Sequence, residues 1–423
     1  MRNFLLYGLA TGFNRLSAFV IIPLLSPLLS VDDFGDFTLY VIIVQFLIPL
    51  LSLNISSIIA RETTDNWRAT LSFVSVFNKV TLVFIMLLAI FILIERNITL
   101  EVILYAILEA VFLVNTTLIR FKSKVEYFFY TSLAKVCLLA AFIGITWYVE
   151  KSFLGNLHYL LIIFALANLV VAIPFFKIIF HTFLPLIKCI NYLSSKKTLL
   201  IFSISLMPHI VAQWITSGSD RFIVKAFTGN VELGIYSFAY SVAAVFMLVN
   251  SSLALGMPQL CVNKHDLYSS KRFYKKYFTA VSLLWLVFVS FVAIASPYFP
   301  ERYLFKESMP VFLLIAVGMY FLSFYYYYAA FIFYERKAKE LSVITIKIAI
   351  INVAITVVLT FWLGIAGAAA STALSYLLYA YLSYREARKS KAVKNLILPL
   401  IFSISTTIAV IFYANFSYLH LLN

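Results

Sequence analysis

The stretch from Gln213 to Tyr240, QWITSGSDRFIVKAFTGNVELGIYSFAY, decides how this chain is organised. It places three charged residues, Asp220, Arg221 and Lys225, inside an otherwise apolar run. A charged side chain near the middle of a bilayer costs about 2.5–3.5 kcal/mol on insertion scales, so such residues are kept where they face a wet cavity or a partner. The run breaks at 228–230 and resumes at once, which indicates one membrane-spanning helix followed by the next.

The composition of the whole chain is that of a polytopic membrane protein. Hydrophobic residues make up 63% of its 423 residues, charged residues make up 12%, and the mean hydropathy is +0.97. A chain of this composition cannot build a water-soluble surface. Because the apolar runs reach the roughly 20 residues that a spanning helix needs and show no barrel-like alternation, we predict an all-α polytopic membrane protein.

The apolar runs predict about twelve spanning helices, six in each half of the chain. They lie at about 3–30, 37–60, 71–94, 99–119, 127–149, 156–176, 199–226, 232–260, 273–296, 308–333, 341–362 and 364–384. The polar stretch 181–198 divides an N-terminal six-helix bundle, 1–180, from a C-terminal one, 199–385. Residues 386–423 hold a basic loop and a further uncharged run at about 396–414, which is a candidate thirteenth helix.

Lysine and arginine are distributed unevenly over the predicted loops. If the N-terminus is cytoplasmic, 22 basic residues fall in cytoplasmic loops and four fall in outer loops. This bias follows the positive-inside rule and predicts a cytoplasmic N-terminus. It also accounts for most of the net charge of +15, so the sequence predicts no nucleic-acid partner.

The two halves of the chain resemble each other at one hairpin. DDFGDF at 32–37 and VELGIY at 231–236 both place an acidic residue, then Gly two positions later, then an aromatic residue two positions after that. Each segment follows the first helix of its half. We therefore predict a pseudo-twofold repeat of two bundles around a central cavity, as in many transporters. The alternative is that the glycine merely permits a tight turn.

Several motifs resemble the polysaccharide-exporter branch of the multidrug/oligosaccharidyl-lipid/polysaccharide (MOP) flippase superfamily. They are Pro23 with FGDF at 34–37 and Ala60-Arg61, SDRFI at 219–223 with GIYS at 234–237, and GIAGAAAST at 364–372. The resemblance covers about residues 1–385. It implies a Wzx-type flippase that moves undecaprenyl-pyrophosphate-linked oligosaccharide, an O-antigen or capsule repeat unit, to the outer leaflet of a bacterial cytoplasmic (inner) membrane by alternating access.

Besides the lipid-linked oligosaccharide and membrane lipid, the candidate partners are a polysaccharide polymerase and a chain-length regulator. The runner-up function is a cation-coupled exporter of small amphiphilic compounds with the same architecture. A third class, a non-transporting scaffold or a lipid-modifying enzyme, is disfavoured because the predicted loops are short.

We expect no enzymatic activity, cofactor or metal, since the sequence shows no metal-ligand spacing, nucleophile–base pair or phosphate-binding Gly loop.

Charged residues inside the predicted helices are the candidate site residues. Basic candidates for binding the pyrophosphate in the cavity are Arg15, Arg221, Lys225, Lys135 and Arg61. Glu109 and Asp220 are candidates for ion coupling or for ion pairs with these bases. For Glu109 the candidate ion-pair partners are Arg15 and Lys135. Because consecutive helical residues point about 100° apart, sequence adjacency does not establish a contact between Asp220 and Arg221.

The predicted topology can be tested with cysteine labels or reporter fusions. We expect labels at 181–198 and 385–394 to report the cytoplasm, and labels at 227–231 to report the outside, because the basic loops stay inside. A cytoplasmic position for 227–231 would overturn both the helix count and the repeat.

Overall fold

The computed structural model describes residues 25, 28–62, 67–94, 97–122, 125–149, 151–175, 197–263, 265–295 and 302–389. Almost all of the span predicted at 3–30, and the whole of the candidate helix at 396–414, lie outside these ranges.

The described residues form helices joined by short connections, with no β-strand among them. The α-helices are α1 (Val31–Leu51), α2 (Ile55–Glu62), α3 (Trp67–Ile94), α4 (Ile98–Lys122), α5 (Val125–Val149), α6 (Leu157–Ala172), α7 (Lys197–Ser205), α8 (Met207–Thr228), α9 (Asn230–Ala243), α10 (Met247–Asn263), α11 (His265–Tyr268), α12 (Lys271–Ala295), α13 (Arg302–Tyr334) and α14 (Ala338–Ala387). Short 3₁₀ turns cover Lys151–Gly155, Ile173–Phe175 and Ala244–Phe246.

Within the described ranges, nine helical segments are long and apolar enough to cross a membrane. Eight of them overlap one predicted span each, and Ala338–Ala387 overlaps the last two, 341–362 and 364–384. The span predicted at 156–176 corresponds to the shorter apolar helix Leu157–Ala172. The all-α, multi-pass class is therefore confirmed, while the division into two six-helix bundles and the central cavity stay predictions.

The chain divides into two compact units, residues 1–218 and 219–423. The division falls inside α8, whose first half packs with the first unit. There Trp214 donates a hydrogen bond from Nε1 to the carbonyl of Ile42 (3.0 Å) and packs its ring against Phe46. Most of the predicted linker 181–198 lies outside the described ranges, so its role stays a prediction.

The second predicted span is interrupted, which the sequence analysis missed. Leu53 and Asn54 adopt positive φ angles of 47° and 49° between α1 and α2, a few residues after Pro49. An interrupted helix leaves backbone carbonyls without helical partners, which is costly in lipid. The Ser203 hydroxyl lies 2.6 Å from the Leu53 carbonyl and 2.8 Å from the Asn54 carbonyl, so α7 stabilises the break.

In the first unit, α4 is the central helix and packs against α1, α2, α3, α5 and α6. Lipid gives no hydrophobic driving force for helix association, so polar contacts between helices gain importance. Asn78 of α3 and Asn115 of α4 exchange two amide hydrogen bonds of 2.9 and 3.0 Å in a fully buried pair. Glu101 of α4 is likewise buried and lies 2.9 Å from Nδ1 of His158 on α6.

In the second unit, α13 is the central helix, with 83% of its most apolar stretch buried. Three aromatic side chains donate hydrogen bonds of 2.8 Å to its backbone carbonyls. They are Tyr268 to Tyr327, Tyr277 to Ser323, and Trp285 to Ala316. The run of tyrosines at 325–328 is buried almost throughout, which agrees with a core-filling role.

The two halves of α14 form a hairpin that turns at Gly364, where φ is +57° and ψ is −141°. This matches the two adjacent spans predicted at 341–362 and 364–384. A ladder of buried polar contacts joins the halves: Thr345 to Tyr379 (2.6 Å), Asn352 to Ser375 (3.0 Å) and Thr356 to Ser371 (2.7 Å). Gly367 allows the close approach, because a Cβ at this position would lie 1.9 Å from the Leu359 carbonyl oxygen.

The close approach at Gly367 predicts a large effect of one methyl group. Gly367→Ala should destabilise the protein by about 1–3 kcal/mol, because backbone must move to admit the Cβ. Gly144→Ala is the matched control, since a Cβ there would meet nothing within 4 Å. Thermal unfolding of the purified variants in detergent should show a lower Tm for Gly367→Ala than for Gly144→Ala. Equal Tm values would contradict the packing assigned to the hairpin.

Candidate functional site: two buried acid–base clusters

Asp220 and Arg221 on α8 form an ion pair in the interior of the second unit. Guanidinium Nη1 of Arg221 lies 3.5 Å from Oδ1 of Asp220, and the two side chains are 4% and 1% exposed. The backbone N–H of Arg221 donates to the same oxygen at 2.9 Å. The Tyr236 hydroxyl on α9 donates to Oδ2 at 2.5 Å. The contact between these sequence neighbours, which the sequence left open, is therefore present.

Aromatic side chains complete the surroundings of Arg221. Its guanidinium carbon lies 4.0 Å from the centroid of the Tyr240 ring, a distance at which a cation is attracted to the ring face. Tyr240 is also hydrogen-bonded to Arg221 and to Tyr376 of α14. All three tyrosines of this cluster, Tyr236 included, are buried. Helices α8, α9 and α14 thus meet around one charged pair.

The remaining basic candidates are distributed differently. Lys225 lies one turn beyond Arg221 on α8 and is partly exposed. Arg61 is in the last turn of α2. Arg15 lies outside the described ranges, so its place in the pyrophosphate site and its pairing with Glu109 stay predictions.

The first unit holds a second cluster around Glu109 of α4. The ammonium of Lys135 on α5 donates to both carboxylate oxygens of Glu109, at 2.6 and 2.8 Å. Nδ2 of Asn168 on α6 donates to Oε2 of Glu109 at 2.7 Å. The Lys135 side chain is 3% exposed, and Glu109 is 18% exposed. Of the two partners proposed for Glu109, the structure therefore places Lys135 beside it.

The two clusters share one chemical pattern. Each contains a buried base, an acid bound to it, a neutral donor on the acid and an aromatic ring beneath the base. In the first unit the ring is Phe112, whose centroid lies 4.4 Å from Nζ of Lys135. Removing one partner from a buried ion pair leaves an uncompensated charge and typically costs 3–5 kcal/mol. Each acid therefore neutralises its base when no other anion is present.

Residues that the sequence analysis did not select complete both clusters. Asn168 carries a weak signal, since it is a lone amide in the apolar run LANLVV. Its Oδ1 is buried and accepts no hydrogen bond in the described part of the chain, which leaves one acceptor available in this cluster. Tyr236 lies within the quoted GIYS motif, although no role was given to its hydroxyl. Tyr240 and Tyr376 are not distinguished from the many other aromatic residues by sequence alone.

The clusters contain no grouping suited to a metal ion. Across the ranges that the structure describes, no three His, Cys, Asp or Glu residues lie close enough to hold one.

The fold resembles those of solved MOP-superfamily transporters. The inward closed conformation of the lipid II flippase MurJ matches with a TM-score of 0.70 and 13% identity, covering 97% of this chain and 92% of that chain. An outward-facing multidrug resistance MATE family transporter matches with a TM-score of 0.63 and 12% identity, covering 92% and 95%. An inward-facing MATE structure gives 0.60 and 12%, covering 91% and 94%. At these identities the likeness establishes the fold.

The sequence comparisons identify the family. No relative was found among curated proteins. The family described as "Polysaccharide biosynthesis protein" matches residues 1–255, which is more than half of the chain and includes both clusters' acid–base pairs. With its MOP fold, this multi-pass membrane protein belongs to the polysaccharide biosynthesis protein family.

Proposed function

We propose that the protein is a flippase for undecaprenyl-pyrophosphate-linked oligosaccharide in a bacterial cytoplasmic membrane. The observation that carries this proposal is the match to the polysaccharide biosynthesis family over residues 1–255. The MOP fold supports it, because alternating access in such transporters moves a substrate across the bilayer without bond-breaking chemistry. The family match does not favour the alternative, an exporter of small amphiphilic compounds.

Arg221 is the residue to which we assign the pyrophosphate. Its guanidinium can engage two phosphate oxygens at once, whereas an ammonium acts as a point charge. In the described state Arg221 is held by Asp220 at 3.5 Å, which is long for a charge-assisted hydrogen bond. A pyrophosphate at this position would compete with Asp220 for the guanidinium of Arg221. Asp220 would keep the hydrogen bond from Tyr236 and so would not be left bare.

The pair in the first unit suits a coupling role better than a binding role. Lys135 donates to both oxygens of Glu109 at short distances, so this pair is tighter than the one in the second unit. Protonation of Glu109 would remove the charge that neutralises Lys135 and would weaken the link between α4 and α5. We propose that Glu109 carries a proton while the transporter returns without substrate.

The role of Arg221 predicts distinct effects of three substitutions on export. Arg221→Ala should reduce surface polysaccharide by at least tenfold, because each lost charge-assisted hydrogen bond costs about 1.5–3 kcal/mol of binding. Arg221→Lys should be intermediate, and Arg388→Ala, at an exposed arginine, should have no effect. Surface polysaccharide in cells should be measured together with the amount of protein inserted in the membrane.

A purely structural role for the pair predicts another pattern. Arg221→Ala would then be poorly expressed, and Arg221→Ala/Asp220→Ala would recover both expression and export, because no buried charge is left alone. Recovery of export by the double variant would exclude Arg221 from substrate binding. Recovery of expression without export would support the binding role.

The role of Glu109 predicts a change in transport with little change in substrate affinity. Glu109→Gln should slow transport and remove its dependence on pH, because the glutamine cannot exchange a proton. The double variant Glu109→Gln/Lys135→Gln is the control, since it removes both charges and should restore stability without restoring pH dependence. Transport rates in vesicles across a pH series provide the measurement. Unchanged transport by Glu109→Gln at every pH would remove Glu109 from the mechanism.

A further inference from the structure

The first two turns of α12 carry a cluster of four basic residues that neither acid–base cluster involves. Lys271, Arg272, Lys275 and Lys276 occur within six residues, and all four are exposed. We refer to these four residues as the basic face.

Packing against α13 fixes the rotation of α12, so the basic face must point outward. Tyr277 donates to the Ser323 carbonyl at 2.8 Å, and the ring of Phe278 stacks on Phe324 at 4.4 Å. Tyr274 is buried on the same inward side. The outward direction of the four charges is therefore a property of the fold and is independent of side-chain flexibility.

The basic face has no acidic partner in the described part of the chain. Asp266, the acidic residue that precedes it most closely in sequence, is exposed. The ends of α13 and α14 differ in this respect. There Lys337 lies 2.7 Å from Glu335 and Lys389 lies 2.6 Å from Glu386. The hydrogen bond to Glu335 raises the pKa of Lys337, as expected for an ammonium with an intramolecular anion.

The position of the basic face along α12 is also unfavourable without an external anion. A helix N-terminus carries partial positive charge, so cations in the first turn are repelled by it. The positive-inside rule accounts for basic residues near this end of a span. That rule does not specify that four of them lie on one side of one helix, with no neutralising acid among the described residues. These exposed charges are therefore available to an anion from outside the chain.

An apolar stripe continues from the basic face along the same side of α12. Its exposed residues are Leu283, Leu284, Val287, Phe291 and Ile294. These follow Lys276 at the spacings of one helix face. The helix has 25 residues and is thus about 37 Å long, which exceeds the roughly 30 Å hydrocarbon core. When the stripe lies among acyl chains, the basic face lies at the depth of lipid headgroups.

We propose that the basic face and the apolar stripe together bind an anionic membrane phospholipid. The phosphate lies against the four basic side chains, and the acyl chains follow the stripe. The charge complementarity and the continuous change from charged to apolar surface identify this ligand class. The site is separate from the Arg221 cluster, and the proposal holds whether or not the transported substrate is a lipid-linked oligosaccharide.

Lipid binding to the purified full-length protein tests this proposal. The probes are dioleoyl phosphatidylglycerol and dioleoyl phosphatidylcholine, compared by native mass spectrometry from detergent. We expect the wild type to retain the anionic lipid about tenfold better than the zwitterionic one. The variant Lys271→Gln/Arg272→Gln/Lys275→Gln/Lys276→Gln should lose this preference. The residues changed are exposed, and Tm confirms that the variant is folded.

A matched control removes the same charge elsewhere on the protein. The variant Lys337→Gln/Lys339→Gln/Arg388→Gln/Lys389→Gln should keep the wild-type preference. The proposal is overturned if the wild type shows no preference, or if the variant of the basic face keeps it.

A third probe distinguishes the source of the phosphate. Farnesyl pyrophosphate carries the headgroup of an isoprenoid carrier on a short chain. Weak competition by it against phosphatidylglycerol supports a membrane phospholipid as the ligand. If it displaces phosphatidylglycerol at equal concentration, and this displacement requires the basic face, the site binds isoprenoid pyrophosphates and the phospholipid assignment is wrong.

Discussion

A carboxylate or a guanidinium that leaves water for the interior of a membrane protein must find a partner of opposite charge and satisfied hydrogen bonds. This constraint determines which helices meet in both units. Asp220 of α8 accepts a hydrogen bond from the Tyr236 hydroxyl of α9, and Arg221 lies over the ring of Tyr240, which is also on α9. Glu109 of α4 accepts hydrogen bonds from Lys135 of α5 and Asn168 of α6, and so links the three helices. The charges that make the chain unusual are therefore also the contacts that hold its helices in register.

Neutral polar contacts extend the same principle where no charge is needed. The Asn78–Asn115 amide pair joins α3 to α4, and the hydroxyl and amide ladder from Thr345 to Tyr379 joins the two halves of α14. Burying these polar groups costs little free energy once each donor has an acceptor. The hydrogen bond is lost if one helix shifts by one residue along the other. Small residues permit these contacts, as Gly367 does where it meets the Leu359 carbonyl. Polar pairs thus help to specify register in this protein, together with the packing of buried aromatic side chains, because lipid gives no hydrophobic driving force for helix association.

The helical spans and turns, which depend on neighbouring residues, could be predicted from the sequence. Contacts between residues that are far apart in the sequence could not. The all-α class, the described spans and the turn at Gly364 follow from apolar runs and a glycine. Lys135 was one of two partners considered for Glu109, and the choice between them required the packing of α4 against α5. Asn168 lies 59 residues from Glu109, so no pattern in the sequence joins them. The break at Leu53 and Asn54 escaped notice because the hydroxyl that stabilises it comes from Ser203, about 150 residues away.

The pairing of each base with an internal acid bears on how a flippase of this kind can return without its substrate. A basic residue that binds pyrophosphate would be left as a bare charge after release, at a cost of several kcal/mol in a desolvated site. On the proposed function, Asp220 would remove that cost by neutralising Arg221 when no substrate is bound. The two groups lie 3.5 Å apart, compared with 2.6 Å for Lys135 and Glu109. If Arg221 binds the substrate as proposed, the carboxylate competes with the substrate for the same guanidinium and limits its affinity. On the proposed function, that limit is useful, because a carrier that bound its lipid-linked substrate too tightly could not release it into the opposite leaflet.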